Sequence, residues 1–179
     1  MYFNKLLKKY AIIYLKGGYK LIFMGSFIAK QPNGLYCRYS SVVDGLTHIN
    51  MTLDDYIGYI MERRGKTKEA AYLEAVDTID NYIQPFDRVI EEFDFWHNSR
   101  EKLLSEIIKM TTDGARYELI ESVEFNPGWT YEEYEANPTK YEIEFEKIRE
   151  EAKSIVAEYY KSKENQNPME YKETKGRAH

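Results

Sequence analysis

Three side chains that can carry charge or a proton lie close together in the sequence: Arg38, Asp44 and His48. An Asp-x-x-x-His spacing could bring a carboxylate and an imidazole to one metal ion, with Asp54 or Asp55 nearby as a further ligand. The same region could instead form the centre of a small enzyme that acts on nucleic acid or on a nucleotide. Asp44, His48 and Arg38 are the residues of this enzymatic alternative.

The motifs of the common catalytic chemistries do not occur in the sequence. It contains three histidines, one cysteine and neither an HExxH motif nor paired Cys/His spacings, so a zinc site is not expected. GxSxG, GxxxxGK[ST] and GxGxxG are missing as well. Cys37 is interpreted as a small buried strand residue, and its solitary occurrence fits a reducing, cytoplasmic setting. We therefore expect no metal and no cofactor.

The net charge is unevenly distributed along the chain. Residues 1–23 contain five lysines and no acidic residue, and residues 161–179 contain five basic and three acidic residues. Because the whole chain carries −5, residues 24–160 carry −12. Phosphates would repel so acidic a segment, so direct binding of nucleic acid through it is not expected. The charge favours either plain solubility or a basic protein partner, including one that handles nucleic acid.

Aromatic side chains stand beside acidic ones in several segments, and the chain has 17 tyrosines. Such segments suit protein interfaces, because Tyr and Trp bury a large area at low entropic cost; packing in the core is the alternative. The predicted partner-binding residues are Tyr36 and Arg38, the acidic residues Glu91, Glu92 and Asp94, the aromatic residues Trp129, Tyr131 and Tyr134, and the acidic residues Glu142, Glu144 and Glu146, with Glu150 and Glu151 adjoining them.

A β-hairpin is predicted in the stretch FIAKQPNGLYCRYSSVV, residues 27–43. Asn33-Gly34 lies between two alternating segments, and both residues tolerate the positive φ angles of a tight turn. The strands are predicted over residues 27–30 and 35–39, with one face on helices and the face of Tyr36 and Arg38 exposed. Residues 41–50 are predicted to form a loop.

Helical spacing of apolar residues dominates the rest of the chain. Helices are predicted from Thr52 to Gly65, from about residue 67 to 83, from Pro85, from a cap at Asn98, and from Pro138 to about Tyr160. In the second of these the predicted inward stripe is Ala70, Leu73, Val76, Ile79 and Ile83. Residues 117–125 alternate and are interpreted as a strand, although a helix fits almost equally well.

These elements predict a single α+β domain over residues 24–162, mostly helical, with a small antiparallel sheet at its N-terminal edge. Residues 1–23 are interpreted as a basic leader, with Met24 as the natural start. The polar segment 163–179 is predicted to be disordered.

The stretch MGSFIAKQPNGLYCRYSSVVD, followed by NMTLDDYI, resembles the opening of short, mostly uncharacterised proteins from phages and mobile elements of Gram-positive bacteria. The resemblance covers about a third of the chain and begins at Met24. The resemblance assigns no activity to particular residues, but small acidic proteins from such elements are often inhibitors of host defence, including anti-CRISPR proteins acting on Cas9. The expected function is therefore non-enzymatic binding of a basic, nucleic-acid-handling host protein in the bacterial cytoplasm, without a membrane; the small enzyme and a phage structural or regulatory factor remain as alternatives.

Overall fold

A computed structural model describes residues 10–15, 18–23, 25–95, 98–120 and 130–166. The strands are β1 (Tyr10–Leu15), β2 (Gly18–Phe23), β3 (Ser26–Lys30), β4 (Tyr36–Ser40), β5 (Gly45–Met51) and β6 (Glu118–Leu119). The helices are α1 (Leu53–Arg64), α2 (Lys68–Tyr82), α3 (Asp87–Glu92), α4 (Arg100–Met110), α5 (Tyr131–Ala136) and α6 (Pro138–Gln166). The fold is α+β, as the sequence predicts.

The segment interpreted as a leader contains the antiparallel pair β1–β2, in which Tyr10 stands opposite Phe23. Residues 1–9 lie outside the described part of the chain. Among the residues that the structure describes, no helix is both long and apolar enough to cross a bilayer.

The predicted hairpin is confirmed, but its turn runs over residues 31–34 with Pro32 and Asn33 at the centre, and of Asn33 and Gly34 only Gly34 has a positive φ. β3 pairs with β4 in antiparallel orientation, and Ala29 stands opposite Cys37. Gly34 adopts a φ of +86°, and its N–H donates to the carbonyl of Gln31 at 3.0 Å, which closes the turn. The positive φ explains why glycine occupies this position.

The interpretation of residues 41–50 as a loop holds for residues 41–44 and is wrong for residues 45–50, because β5 begins at Gly45 and joins the sheet. The strand order is β3-β4-β5-β6, and all neighbours are antiparallel. The register between β4 and β5 shifts on each side of the pair Arg38–His48, so β5 carries two bulges, and Asn50 has a φ of +56°. Bulges break the alternation of apolar and polar residues by which a strand is recognised in a sequence.

Helices cover both faces of the four-stranded sheet. α3, α4 and α6 pack on one face, around buried residues that include Cys37, Ile49 and Ile107. α1 and α2 pack on the other face, around Met51 and its neighbours. Tyr36 packs against this second core, so the prediction that its face of the hairpin is exposed is wrong for Tyr36.

The predicted inward stripe of α2 is displaced around the helix. Ala71 and Ala75 are its buried residues, whereas Leu73 is 63% exposed. Two alanines one turn apart allow the helix to approach its neighbours closely, so the smaller residues face inward. The size and hydropathy of the residues therefore predicted the wrong buried face for α2.

The ends of two helices also differ from the prediction. Ser99 caps α4, accepting from the N–H of Lys102 at 3.2 Å, while Asn98 Nδ2 donates to the carbonyls of Asp44 and Asp94. α6 continues to Gln166, past the predicted end at Tyr160.

The additional turn of α6 contacts the loop after α4. Tyr159 donates from its hydroxyl to Oδ1 of Asp113 at 2.7 Å, and Lys163 pairs with the same carboxylate. Residues 163–166, assigned to the disordered tail, are therefore helical; residues 167–179 lie outside the described part of the chain.

The segment 117–125 supplies β6, which pairs with β5 through His48–Leu119 and Ile49–Glu118. The N–H of Ile120 also donates to the carbonyl of Thr47 at 2.9 Å. The strand interpretation holds for Glu118 and Leu119, and residues 121–125 fall outside the described part of the chain.

Candidate functional site

A cleft of about 630 Å³ opens where β4, β5 and β6 meet α1. The apolar residues that line it are Val42, Val43, Leu46, Leu119 and Ile120. The polar and aromatic side chains that line it are Arg38, Asp44, Thr47, His48, Tyr59, Glu62, Arg63, Asn98, Lys102 and Tyr117. A volume of this order is typical of sites for small molecules.

A bulge in β5 places two consecutive side chains, Thr47 and His48, in the same cleft. In a regular strand they would point to opposite faces of the sheet. Asp44, just before the strand, has a φ of +48°, an uncommon conformation for a residue other than glycine. Irregular backbone of this kind recurs beside functional sites, where it redirects side chains.

Arg38 is held in the cleft by Thr47 and Tyr59. Its Nη1 donates to Oγ1 of Thr47 at 2.8 Å, and its guanidinium carbon lies 5.2 Å from the centre of the Tyr59 ring. Burial lowers the pKa of Arg38, and the nearby charge of Arg63 lowers it further. Two guanidinium groups therefore act on each other within this cleft.

His48 is buried between aromatic rings and carries no charge at neutral pH. Its ring stacks on Tyr117 at 6.1 Å and meets the edge of Tyr59 at 4.8 Å. Burial, followed by the charges of Arg38 and Arg63, lowers the pKa of His48 to about 4.

The hydrogen bonds around Thr47 determine which nitrogen of His48 carries the proton. The Thr47 hydroxyl donates to the carbonyl of Arg38 at 3.2 Å, so its oxygen accepts from His48 Nδ1 at 2.9 Å. This arrangement leaves Nε2 as the unprotonated nitrogen of the imidazole.

The structure brings together Arg38, Asp44 and His48, the three residues of the enzymatic alternative, since all of them line the cleft. Asp54 and Asp55 lie on α1, and neither lines the cleft. Within the described ranges, no three residues among His, Cys, Asp and Glu are placed to hold a metal ion together. The arrangement is suited to holding an anion beside a neutral imidazole.

The two predicted acidic groups meet on one surface where α3 packs against α6. Lys153 donates to Oε1 of Glu150 at 3.0 Å, and this bond raises its pKa, with Glu146 and Glu91 contributing at longer range. Glu91 belongs to α3 and the two other carboxylates to α6, so carboxylates from both helices act on one ammonium group, with Glu150 alone in contact with it. Glu92 is exposed beside Glu91 and pairs with Arg88.

The acidic residues of α6 divide between two sides of the helix. Glu142, Glu146 and Glu150 repeat at intervals of four residues and share the side of Lys153. Glu151 lies on the other side, where Arg100 of α4 binds it in a bidentate pair at 2.7 and 2.8 Å. Glu144 falls on that second side by helical spacing, so it does not join the surface formed with α3.

The remaining predicted partner-binding residues have mixed exposure. Tyr131 is 61% exposed, whereas Tyr134 is half-buried against Tyr141 and donates to Oε1 of Glu142 at 3.3 Å. Asp94 is half-buried, and its N–H donates to the carbonyl of Asp44. Trp129 lies outside the described residues.

Sequence reasoning missed Thr47, Tyr59, Arg63 and Tyr117 as cleft residues. Tyr59 and Arg63 are four residues apart on α1, so they share a face that adjoins the apolar stripe. From this spacing, the sequence could have predicted that Tyr59 and Arg63 line the same surface. Thr47 could not have been found, because the bulge that redirects it leaves no trace in the sequence pattern.

Comparisons with known proteins leave the chain without a relative: no protein-family model, no curated protein and no solved structure matches it.

Proposed function

We propose that this protein is a non-enzymatic binding protein that docks onto a basic, nucleic-acid-handling protein through its acidic face, defined as Glu91, Glu92, Glu142, Glu146 and Glu150. The observation that carries the proposal is the packing of α3 against α6, which brings carboxylates of both helices to the neighbourhood of Lys153. Side chains from two helices form this surface, where Glu92, Glu146 and Glu150 also pair with Arg88, Arg149 and Lys153.

Electrostatic attraction would draw the acidic face to a basic partner. Complementary charge steers encounter and raises association rates, and it favours partners whose surface evolved to hold phosphate. The net charge of −12 over residues 24–160 adds a long-range field of the same sign. A protein of this kind would occupy the place of nucleic acid on its partner.

Aromatic side chains adjoin the acidic face and would anchor the complex. Tyr134 is bonded to Glu142, and the largely exposed Tyr131 lies one turn before it on α5. Tyrosines surrounded by charged residues match the usual anatomy of an interface, with an aromatic anchor and a polar rim.

The resemblance to phage and mobile-element proteins supports a particular partner class. It favours a CRISPR nuclease such as Cas9 as the target, in the cytoplasm of a bacterial host, with the protein acting as an inhibitor of the anti-CRISPR kind. Cas9 holds nucleic acid in positively charged channels, which an acidic face would complement.

Kinetic binding measurements test this proposal. Cas9 without guide RNA is immobilised, and association is followed for the wild type and for two triple variants that change the net charge equally. The acidic-face variant carries Glu91→Lys, Glu146→Lys and Glu150→Lys; the control variant carries Glu69→Lys, Asp77→Lys and Asp80→Lys on α2, whose exposed residues lie on the other side of the sheet.

The wild type should bind, and its association should slow as NaCl rises from about 0.05 M to about 0.5 M. The acidic-face variant should associate at least ~10-fold more slowly, whereas the α2 control should stay within ~2-fold of the wild type. Absence of binding by the wild type, or equal loss in both variants, would overturn the proposal.

A further inference from the structure

Two arginines of the cleft differ from most others in the described chain. Arg64, Arg88, Arg100 and Arg149 each pair with a glutamate. Arg38 and Arg63 have no carboxylate partner within 4 Å among the described residues, although the protein is strongly acidic. Arg38 is half-buried, and a guanidinium with reduced access to water and without a counter-ion is costly, whereas Arg63 is exposed beside it. An anion at Arg38 would offset this cost.

The side chains that line the cleft include three cations, Arg38, Arg63 and Lys102, and two carboxylates, Asp44 and Glu62. Asp44 acts on the hydroxyl of Tyr39, and Glu62 acts on Tyr117 at the mouth. At His48, by contrast, the charges that act are those of Arg38 and Arg63, and both lower the pKa of the imidazole. An anion bound beside His48 would relieve this repulsion.

Apolar and aromatic side chains also line the cleft. Leu46, Ile120 and Val43 are among the apolar ones, and Tyr117 remains 44% exposed while it stacks on His48. A purely inorganic anion would leave these side chains uncovered. An aromatic or apolar body attached to the anion could stack on tyrosine and cover the aliphatic residues.

We infer that the cleft binds a phosphate monoester with a flat aromatic body, of the size of a nucleoside monophosphate, with the phosphate at Arg38 and Arg63. This site is separate from the acidic face. The inference about it does not depend on the proposed docking onto a basic protein. Arg38 approaches the ligand from the sheet and Arg63 from α1, so the phosphate bridges two elements.

Calorimetric titration of the full chain with adenosine monophosphate, adenosine and inorganic phosphate tests the inference. Adenosine monophosphate should bind with 1:1 stoichiometry and at least ~10-fold more tightly than either fragment, because each fragment satisfies only half of the site. Nitrogen-detected NMR of His48 gives a second readout. Its pKa should rise from about 4 when the ligand saturates the protein, since the phosphate offsets the two guanidinium charges.

Two neighbouring substitutions provide matched variants. Arg63→Gln removes a guanidinium from the cleft, and Arg64→Gln removes one from the next position on α1, where it pairs with Glu74. Arg63→Gln should weaken binding of adenosine monophosphate at least ~5-fold, and Arg64→Gln should leave it within ~2-fold. No binding of adenosine monophosphate, equal binding of adenosine, or equal effects of the two substitutions would overturn the inference.

Discussion

The guanidinium of Arg38 on β4 donates to the hydroxyl of Thr47 at 2.8 Å, at a bulge of the neighbouring strand β5. The same hydroxyl oxygen lies 2.9 Å from Nδ1 of His48. One threonine therefore fixes the position of the cation and the orientation of the imidazole. The geometry of the cleft depends on a residue that carries no charge of its own.

Thr47→Val should destabilise the protein by about 1–3 kcal/mol, because it removes the hydrogen-bond partner of two groups that have little access to water. Thr47→Ser keeps the hydroxyl and should cost less than half as much. Urea unfolding of both variants checks this prediction. A loss for serine as large as that for valine would contradict the hydrogen-bond explanation, because serine keeps the hydroxyl.

Glu106 should make stability fall as pH rises through the neutral range. It is 4% exposed, one of its oxygens lacks a hydrogen-bond partner within the described chain, and burial raises its pKa from 4.5 to about 7. Between these values the unfolded chain loses a proton that the folded chain retains, so unfolding becomes easier as pH rises. The full effect is about 3 kcal/mol.

His48 contributes the opposite slope in an overlapping window. Its folded pKa of about 4 lies below the ordinary 6.5, so the unfolded chain binds a proton first as pH falls, and stability decreases from pH 6.5 to 4. The difference in unfolding free energy between Glu106→Gln and wild type isolates the glutamate. It should grow with pH between 4.5 and 7; a constant difference would contradict the burial argument.

Two glycine substitutions should shift stability in opposite directions. Gly34→Val should cost about 1 kcal/mol or more, because a β-branched residue resists a φ of +86° although its Cβ would have open space. Gly58 lies on the exposed side of α1 without a positive φ, so Gly58→Ala should stabilise by about 1 kcal/mol. Thermal or urea unfolding measures the stability of both variants. If Gly34→Val destabilises the protein but Gly58→Ala does not stabilise it, backbone conformation is not the common cause.

Tyr131→Ala should speed dissociation from the basic partner at least ~5-fold and leave stability within ~0.5 kcal/mol, because the side chain is largely exposed. Tyr72→Ala on α2 is the matched control, as Tyr72 is also exposed. Dissociation rates with immobilised Cas9 distinguish the two. An unchanged rate for Tyr131→Ala would remove α5 from the interface.

The local signals in the sequence predicted the fold well where they were strong. Asn33-Gly34 gave the hairpin, and Thr52 with Asp55 gave the start of α1, where both bonds of the capping box are present. The errors arose where tertiary packing decides. β5 was hidden by its bulges, and the buried face of α2 is set by two alanines that no hydropathy pattern favours.

The candidate site was predictable only in part, for a related reason. Arg38, Asp44 and His48 were identified together because they are near one another in the sequence. Arg63 and Tyr117 reach the cleft from other elements, which only the folded chain brings there. The meeting of Glu91 with the α6 glutamates likewise depends on how α3 packs on α6.

Inhibition of DNA cleavage by Cas9 tests the central claim most directly. The protein is mixed with Cas9 before guide and target are added, and the cleavage rate is measured with wild type, the acidic-face variant and the α2 control variant. The wild type and the α2 control should inhibit at near-stoichiometric concentration, and the acidic-face variant should need at least ~10-fold more protein. Undiminished cleavage in the presence of wild type, or equal inhibition by all three proteins, would contradict the account.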